Sequence, residues 1–196
     1  WGAWLAPTPG SKEGFLEQQN SQRDAIIAAL NINTFAHHAD RVRMANIAQM
    51  VNVLQAMLLT NHEKLVKTPT YHVFRMYVPF QDATFLPIRL DAQTYVHGDV
   101  ELQRVDAIAA KDKDGKVWIA IANVDPRRAA RIRIASGGQK NETLRGETLA
   151  APRIDSVNTF AAPNTVAPKP VTARRTGGAM TLELAPASVT VASLQP

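Results

Sequence analysis

The sequence contains no cysteine. Disulfide staples and thiolate-bound metals are thereby excluded, while the compartment stays open. Aromatic residues are only 6% of the chain and are not interleaved with its basic residues, which argues against a base-stacking surface. No apolar run is long enough to cross a bilayer as a helix. Three chemical signatures are also missing: a glycine-rich phosphate loop, a His-Glu-x-x-His zinc helix and a Gly-x-Ser-x-Gly elbow. His37, His38, His62, His72 and His97 show no ligand spacing with a carboxylate, so no metal and no other cofactor is expected. His37 and His38 are read as partners of a helix C-terminus instead.

What is present is ordinary for a globular chain. With 196 residues, 45% hydrophobic and 20% charged, a packed core is within reach. The net charge of +5 is spread out, with Arg127, Arg128, Arg131 and Arg133 its densest group. Arg131 and Arg133 alternate as on the wet face of a strand. A mildly basic surface follows, with neither nucleic acid nor membrane as an expected partner. The chain opens on Trp1-Gly2-Ala3-Trp4, an apolar aromatic start without targeting logic. It reads as a cut through a longer protein, which leaves localisation unknown.

The pattern changes near residue 80. Upstream, residues 5–20 hold Pro7, Pro9 and Gly10 and read as a loop. Ser21, with Asp24 three residues on, opens a helix in the manner of a capping box. Ala25, Ala28, Ala29, Ile32 and Phe35 form its buried face. Residues 42–48 are short, apolar and flanked by helical patterns, which predicts a strand buried in a parallel sheet. Residues 50–59 predict a second helix, with Val51, Leu54 and Leu58 on one stripe. Thr68-Pro69 starts a third, which Pro79 ends. One buried strand between helices is a piece of an α/β repeat and needs sheet neighbours. Ile26, Ile27, Leu54 and Leu58 are therefore expected to expose apolar area in this chain alone, and to promote association.

Downstream, residues 84–90, 101–110, 116–124, 130–135, 180–184 and 188–194 predict strands. Lys113-Asp114-Gly115 marks a hairpin turn between two of them. Short strands with turn signals suggest a β-sandwich. Residues 150–178, with Pro152, Pro163, Pro168 and Pro170, are read as a long ordered excursion, because a flexible linker would strand Phe160 and Val166.

Two positions at the end of the predicted buried strand carry candidate chemistry. Gln49 lies at its C-terminal end, the end that faces the active site in barrel enzymes, and Asn46 is on the other side of the pleat. An amide both donates and accepts, which suits a hydroxyl-rich ligand. It equally suits capping the next helix or satisfying buried backbone, and the pattern leaves both readings open. Trp1 and Trp4 are open in the same way: aromatic faces pack on sugar rings, and they also anchor cores.

The run Asp40-Arg41-Val42-Arg43-Met44-Ala45-Asn46-Ile47-Ala48-Gln49 closely resembles glycoside hydrolase family 51 α-L-arabinofuranosidases. So do Val51-Asn52-Val53-Leu54-Gln55-Ala56-Met57 and Thr68-Pro69-Thr70-Tyr71-His72-Val73-Phe74. Trp1-Gly2-Ala3-Trp4 resembles the segment after that family's Asp-Glu motif, and Asn123-Val124-Asp125-Pro126 and Asn158-Thr159-Phe160 fit its C-terminal domain.

The resemblance implies the last strand and helices of a (β/α)8 barrel in residues 1–80, followed by an all-β, jelly-roll-like sandwich in residues 81–196. It implies a retaining, exo-acting enzyme that releases terminal arabinofuranosyl groups from arabinan, arabinoxylan and related oligosaccharides. Two glutamates carry such catalysis, and the resemblance puts neither in this chain: the nucleophile directly precedes Trp1 and the acid/base lies further upstream. Glu13 and Glu17 fall in a loop and do not replace them. What carries over is substrate binding, by Gln49 as a sugar-contacting amide and by Trp4 as an aromatic near the leaving group. The implied partner is an arabinose-containing glycan, and the intact protein is expected to be a homo-oligomer. Two alternatives stand beside this one: a noncatalytic carbohydrate-binding or structural module, and a relative acting on β-glucan or xylan.

Overall fold

The computed structural model describes residues 1–135, 142–176 and 178–195. Helix α1 (Gln22–His37) begins where the capping box predicts. The Asp24 carboxylate accepts from the Ser21 backbone N–H at 2.8 Å and from its hydroxyl at 3.2 Å. Two first-turn amides, of Gln22 and Arg23, donate to the carbonyls of Ser156 and Ile154. The predicted excursion is thus ordered and completes the helix start, but its last part, Lys169–Thr176, is a strand of the sheet. Its Val166 is fully buried, fixed by Asn158 through bonds of 2.7 and 2.8 Å, whereas Phe160 is exposed.

Helix α2 (Pro69–Tyr77) is capped by the Thr68 hydroxyl, which accepts from the Tyr71 N–H, and runs into a 3-10 turn over Val78–Phe80. Between the helices lies a small hairpin of β1 (Leu58–Asn61) and β2 (Lys64–Lys67). Then come β3 (Thr84–Leu86), β4 (Thr94–His97), β5 (Val100–Gln103), β6 (Val105–Lys111) and β7 (Val117–Asn123). They are followed by β8 (Ala130–Ile134), β9 (Thr143–Leu149), β10 (Lys169–Thr176), β11 (Ala179–Leu184) and β12 (Ser188–Gln195). Strands β4 and β5 pair as a separate hairpin. The turn between β6 and β7 is the predicted one, with Gly115 at φ 83°, a conformation that suits glycine.

Among the described residues, eight strands form one antiparallel sheet in the order β3-β6-β7-β12-β9-β10-β11-β8. The sheet curls at β10, whose first part pairs with β9 and whose end pairs with β11. The two ends therefore face each other across Val105, Ala107, Ile121, Met180, Leu182 and Leu184. Two facing layers, as a sandwich predicts, are made here by one sheet turned on itself. The alternate residues point outward, and Ile108, Ala110, Ala120, Ala122 and Val189 meet Ala25, Ala28 and Ala29 of α1. These small helix residues let α1 lie close on the sheet.

Three expectations for the first 80 residues change. Residues 42–48 form no strand, because they meet only one neighbour in a single rung of pairing and otherwise skirt the ends of α1 and α2, where Val42 is half-buried. Residues 50–59 form no helix: Asn52 and Leu54 have φ of 59° and 50°, which a right-handed helix does not admit. Of the apolar stripe that suggested the helix, Leu54 and Leu58 are half-buried around an inward-turned Gln55 and Val51 is exposed. Finally, α1 and α2 do not wait for absent sheet neighbours, since this chain's own sheet covers them. Ile26 is 6% exposed, and Ile27, Leu54 and Leu58 are partly buried rather than bare.

Polar groups tie the layers. The buried Tyr77 hydroxyl donates to Asn33 Oδ1 at 2.9 Å, and Asn33 Nδ2 donates to Asp106 on β6 at 2.7 Å. Burial, with the nearby Asp106 charge, pushes the Tyr77 hydroxyl well above its ordinary pKa and keeps it a donor. Burial raises the Asp125 carboxyl, but the Arg127 amide, the Arg128 side chain and the Arg128 amide together hold it below its usual range. His72 on α2 is lowered from 6.5 to about 4, first by burial and then by the Arg75 and Lys67 charges.

The sign of the His72 effect follows. Between pH 6.5 and about 4 the unfolded chain binds a proton that the folded one does not, so stability falls as pH falls through that window. We expect the denaturant midpoint to drop more between pH 7.5 and 4.5 for the unaltered protein than for His72→Gln. Equal drops would contradict the burial of a neutral His72.

Candidate functional site

The Trp1–Leu5 stretch is held at three backbone positions. The Trp1 nitrogen donates to the Asn46 carbonyl at 3.0 Å, and the Ala48 N–H donates to the Trp1 carbonyl at 2.8 Å. Bonds from one residue to the two that flank its partner are a single rung of parallel pairing. Further along, the Ala3 N–H donates to Gln55 Oε1 at 2.9 Å. Gln18 spans the next position: its Nε2 donates to the Ala3 carbonyl at 3.0 Å, and its Oε1 accepts from the Leu5 N–H at 2.9 Å.

The support runs inward from there. Gln55 is fully buried and its Nε2 donates to Asp24 Oδ1 at 3.2 Å. The neighbouring Ala56 carbonyl accepts from Asn20 and from the Thr68 hydroxyl that caps α2. The starts of both helices thus converge on residues 55 and 56. A net hydrogen bond contributes about 1 kcal/mol, but an orphaned buried group costs roughly 1–3, so this cluster acts as a unit.

The two tryptophans separate. Trp1 stacks on Phe74 of α2, with centroids 6.3 Å apart, and meets Phe35 of α1 edge-on at 6.1 Å. It is a core anchor. Trp4 is 72% exposed and lines a groove of about 360 Å³ with Pro7, Gln18 and Leu54. Gln49 is exposed two residues beyond the Trp1 rung, with φ of 86°. It is not among the residues lining the Trp4 groove. Asn46 is exposed too, and enters the rung through its carbonyl. Glu13 and Glu17 stand exposed on the loop that forms the other wall of the groove. Among the described residues, no group of three His, Cys, Asp or Glu side chains is arranged to hold a metal. Sequence reasoning missed Gln18 and Gln55 as parts of this site. Only a polar residue at an otherwise apolar-flanked position hinted at Gln55.

A family model described as the alpha-L-arabinofuranosidase C-terminal domain matches residues 1–188. The chain belongs to this family. This arabinofuranosidase C-terminal domain is 42% identical to an intracellular exo-alpha-L-arabinofuranosidase of Bacteroides ovatus, over 100% of this chain and 38% of that protein. It is 49% identical to the GH51 arabinofuranosidase of Xanthomonas axonopodis pv. citri, with a TM-score of 0.93, over 100% of this chain and 40% of that one. A thermostable GH51 alpha-L-arabinofuranosidase from Thermotoga petrophila shares the fold, with a TM-score of 0.84 at 23% identity over 100% of this chain and 42% of that one. The chain thus spans well under half the length of these relatives.

The left-handed backbone at Gln49 costs a non-glycine residue about 1–2 kcal/mol, against roughly 0.5–1 for the extra chain entropy that glycine brings. Gln49→Gly is therefore expected to raise unfolding free energy by about 0.5–1 kcal/mol, the difference of these two terms. A loss of similar size in urea denaturation would contradict strain at this position.

Proposed function

We propose that this domain is the C-terminal portion of a retaining, exo-acting α-L-arabinofuranosidase that cleaves terminal arabinofuranosyl groups from arabinan, arabinoxylan and related oligosaccharides. On this reading residues 1–80 complete the (β/α)8 barrel and residues 81–196 form the β domain. The observation that carries it is the parallel rung between Trp1 and residues 46–48, with α1 as the connection between the paired segments. An extended segment, a helix and a second extended segment paired parallel to the first follow the order of the strand-helix-strand repeat of such a barrel, whose active site lies at the C-terminal ends of the strands. Trp4 and Gln49 both follow the rung in chain direction, which supports their assignment to that end.

Retention needs an acid that protonates the leaving oxygen and a carboxylate that attacks the anomeric carbon, about 5 Å apart. Water then attacks the glycosyl-enzyme, with the first residue acting as base. Both glutamates lie upstream of Trp1 on this reading. Gln49 hydrogen-bonds sugar hydroxyls, and the exposed face of Trp4 packs on the leaving-group sugar. The intact protein acts as a homo-oligomer, a part of the proposal that rests on the family resemblance.

In the full-length protein, Gln49→Ala is expected to lower kcat/KM on an aryl α-L-arabinofuranoside by about 10- to 100-fold, the loss of one or two hydrogen bonds to the sugar. The 196-residue chain alone is expected to leave that substrate uncleaved. Activity of the full-length protein confined to β-glucan or xylan backbones would overturn the assignment.

A further inference from the structure

Trp4 has the exposure of a ligand-facing side chain, yet it sits on a stretch without regular secondary structure. Exposed aromatics on such stretches sample several rotamers and backbone states, so a working platform needs its backbone fixed. The fixing groups are present. Gln55 takes the amide before Trp4, and Gln18 takes the carbonyl before it and the amide after it. Each of the two peptide groups that flank Trp4 is therefore held at one end by Gln18, and the peptide before them by Gln55.

Both glutamines are placed for this, Gln18 for little else. Gln55 is fully buried and Gln18 is 7% exposed. Both hydrogen bonds that Gln18 makes go to residues 3 and 5. Gln55 divides its amide between Ala3 and Asp24, the residue that caps α1. A side-chain amide carries an acceptor oxygen and a donor nitrogen on one carbon, which is what a peptide N–H and a peptide carbonyl together require. Glutamate at position 18 would satisfy Leu5 and repel the Ala3 carbonyl; leucine would satisfy neither.

We infer that Gln18 and Gln55 are positioning residues for Trp4: they clamp the backbone on either side of it and transmit the rigidity of the α1 N-terminus to the sugar-facing ring. This rests on the reading of Trp4 as a substrate contact. It adds how that contact is held, and assigns a role to two residues that touch no substrate. Gln18 is the cleaner probe, because Gln55 also serves the helix cap.

The test uses the full-length protein and an arabino-oligosaccharide, so that a sugar occupies the leaving-group side. Gln18→Leu is expected to raise KM about 10-fold and to change kcat less than about 3-fold, a loss of binding rather than of chemistry. Gln18→Glu, which keeps the acceptor for the Leu5 N–H, recovers part of that loss. With Trp4→Ala already in place, Gln18→Leu is expected to change KM less than about 2-fold, since residues acting through one another do not add. Equal losses in both backgrounds would overturn the clamp. Hydrogen exchange over residues 1–6 separates the two layers of the argument. Faster exchange there in Gln18→Leu is expected, and unchanged exchange would overturn the clamp outright. Faster exchange with no effect of Trp4→Ala on KM would instead overturn the substrate role of Trp4.

Discussion

The buried carboxylate of Asp24 is the group on which the first third of the chain depends. It is fully enclosed, and it accepts from the Ser21 amide and hydroxyl, from Arg23 and from Gln55. Enclosing a carboxylate is costly unless each lone pair is used, and here the users come from different parts of the chain. The same group that starts α1 therefore fixes residue 55, and through it the stretch that carries Trp4. Without it, the Ser21 amide and the Gln55 Nε2 would both lose a partner.

Around this polar centre the packing is conventional. Alternating strand residues split between a face covered by α1 and α2 and a face closed by the curl of the sheet. Burying each large aliphatic side chain contributes about 1.5–3 kcal/mol, so the sheet and helices supply most of the stability. The polar centre supplies position. Ala25, Ala28 and Ala29 bring α1 close to the sheet, and Tyr77 and Asn33 lock it to α2 and β6. A rigid platform thus lies behind a stretch that is itself irregular.

Much of this was legible in the sequence, wherever a local pattern decided the structure. Ser21 with Asp24, Thr68 with Pro69, and Lys113-Asp114-Gly115 each act within four residues, and each forms what its chemistry predicts. The alternation in β6, β7 and β12 marked strands for the same reason. Residues 42–59 were not legible because periodicity was the wrong guide there. Their conformation is set by left-handed residues at Gln49, Asn52 and Leu54 and by the demand of Asp24 for Gln55, and neither leaves a periodic trace. Strand β9 was hidden by Gly146, which weakens any strand pattern. The structure needs it, because a Cβ there would lie 2.1 Å from the Val191 carbonyl oxygen of the neighbouring strand. Of the proposed site, Trp4 and Gln49 were candidates from their residue types and places, with roles that only the resemblance implied, while Gln18 and Gln55 emerge only once hydrogen bonds can be followed between distant segments.

The central claim is that Asp24 and Gln55 act as one unit joining the helix start to the site segment. A double-mutant cycle in unfolding free energy tests it most directly, with Asp24→Ala, Gln55→Ala and the pair. The account predicts a coupling of about 1–3 kcal/mol, because the second substitution removes a partner already lost. Additivity within about 0.5 kcal/mol would contradict it.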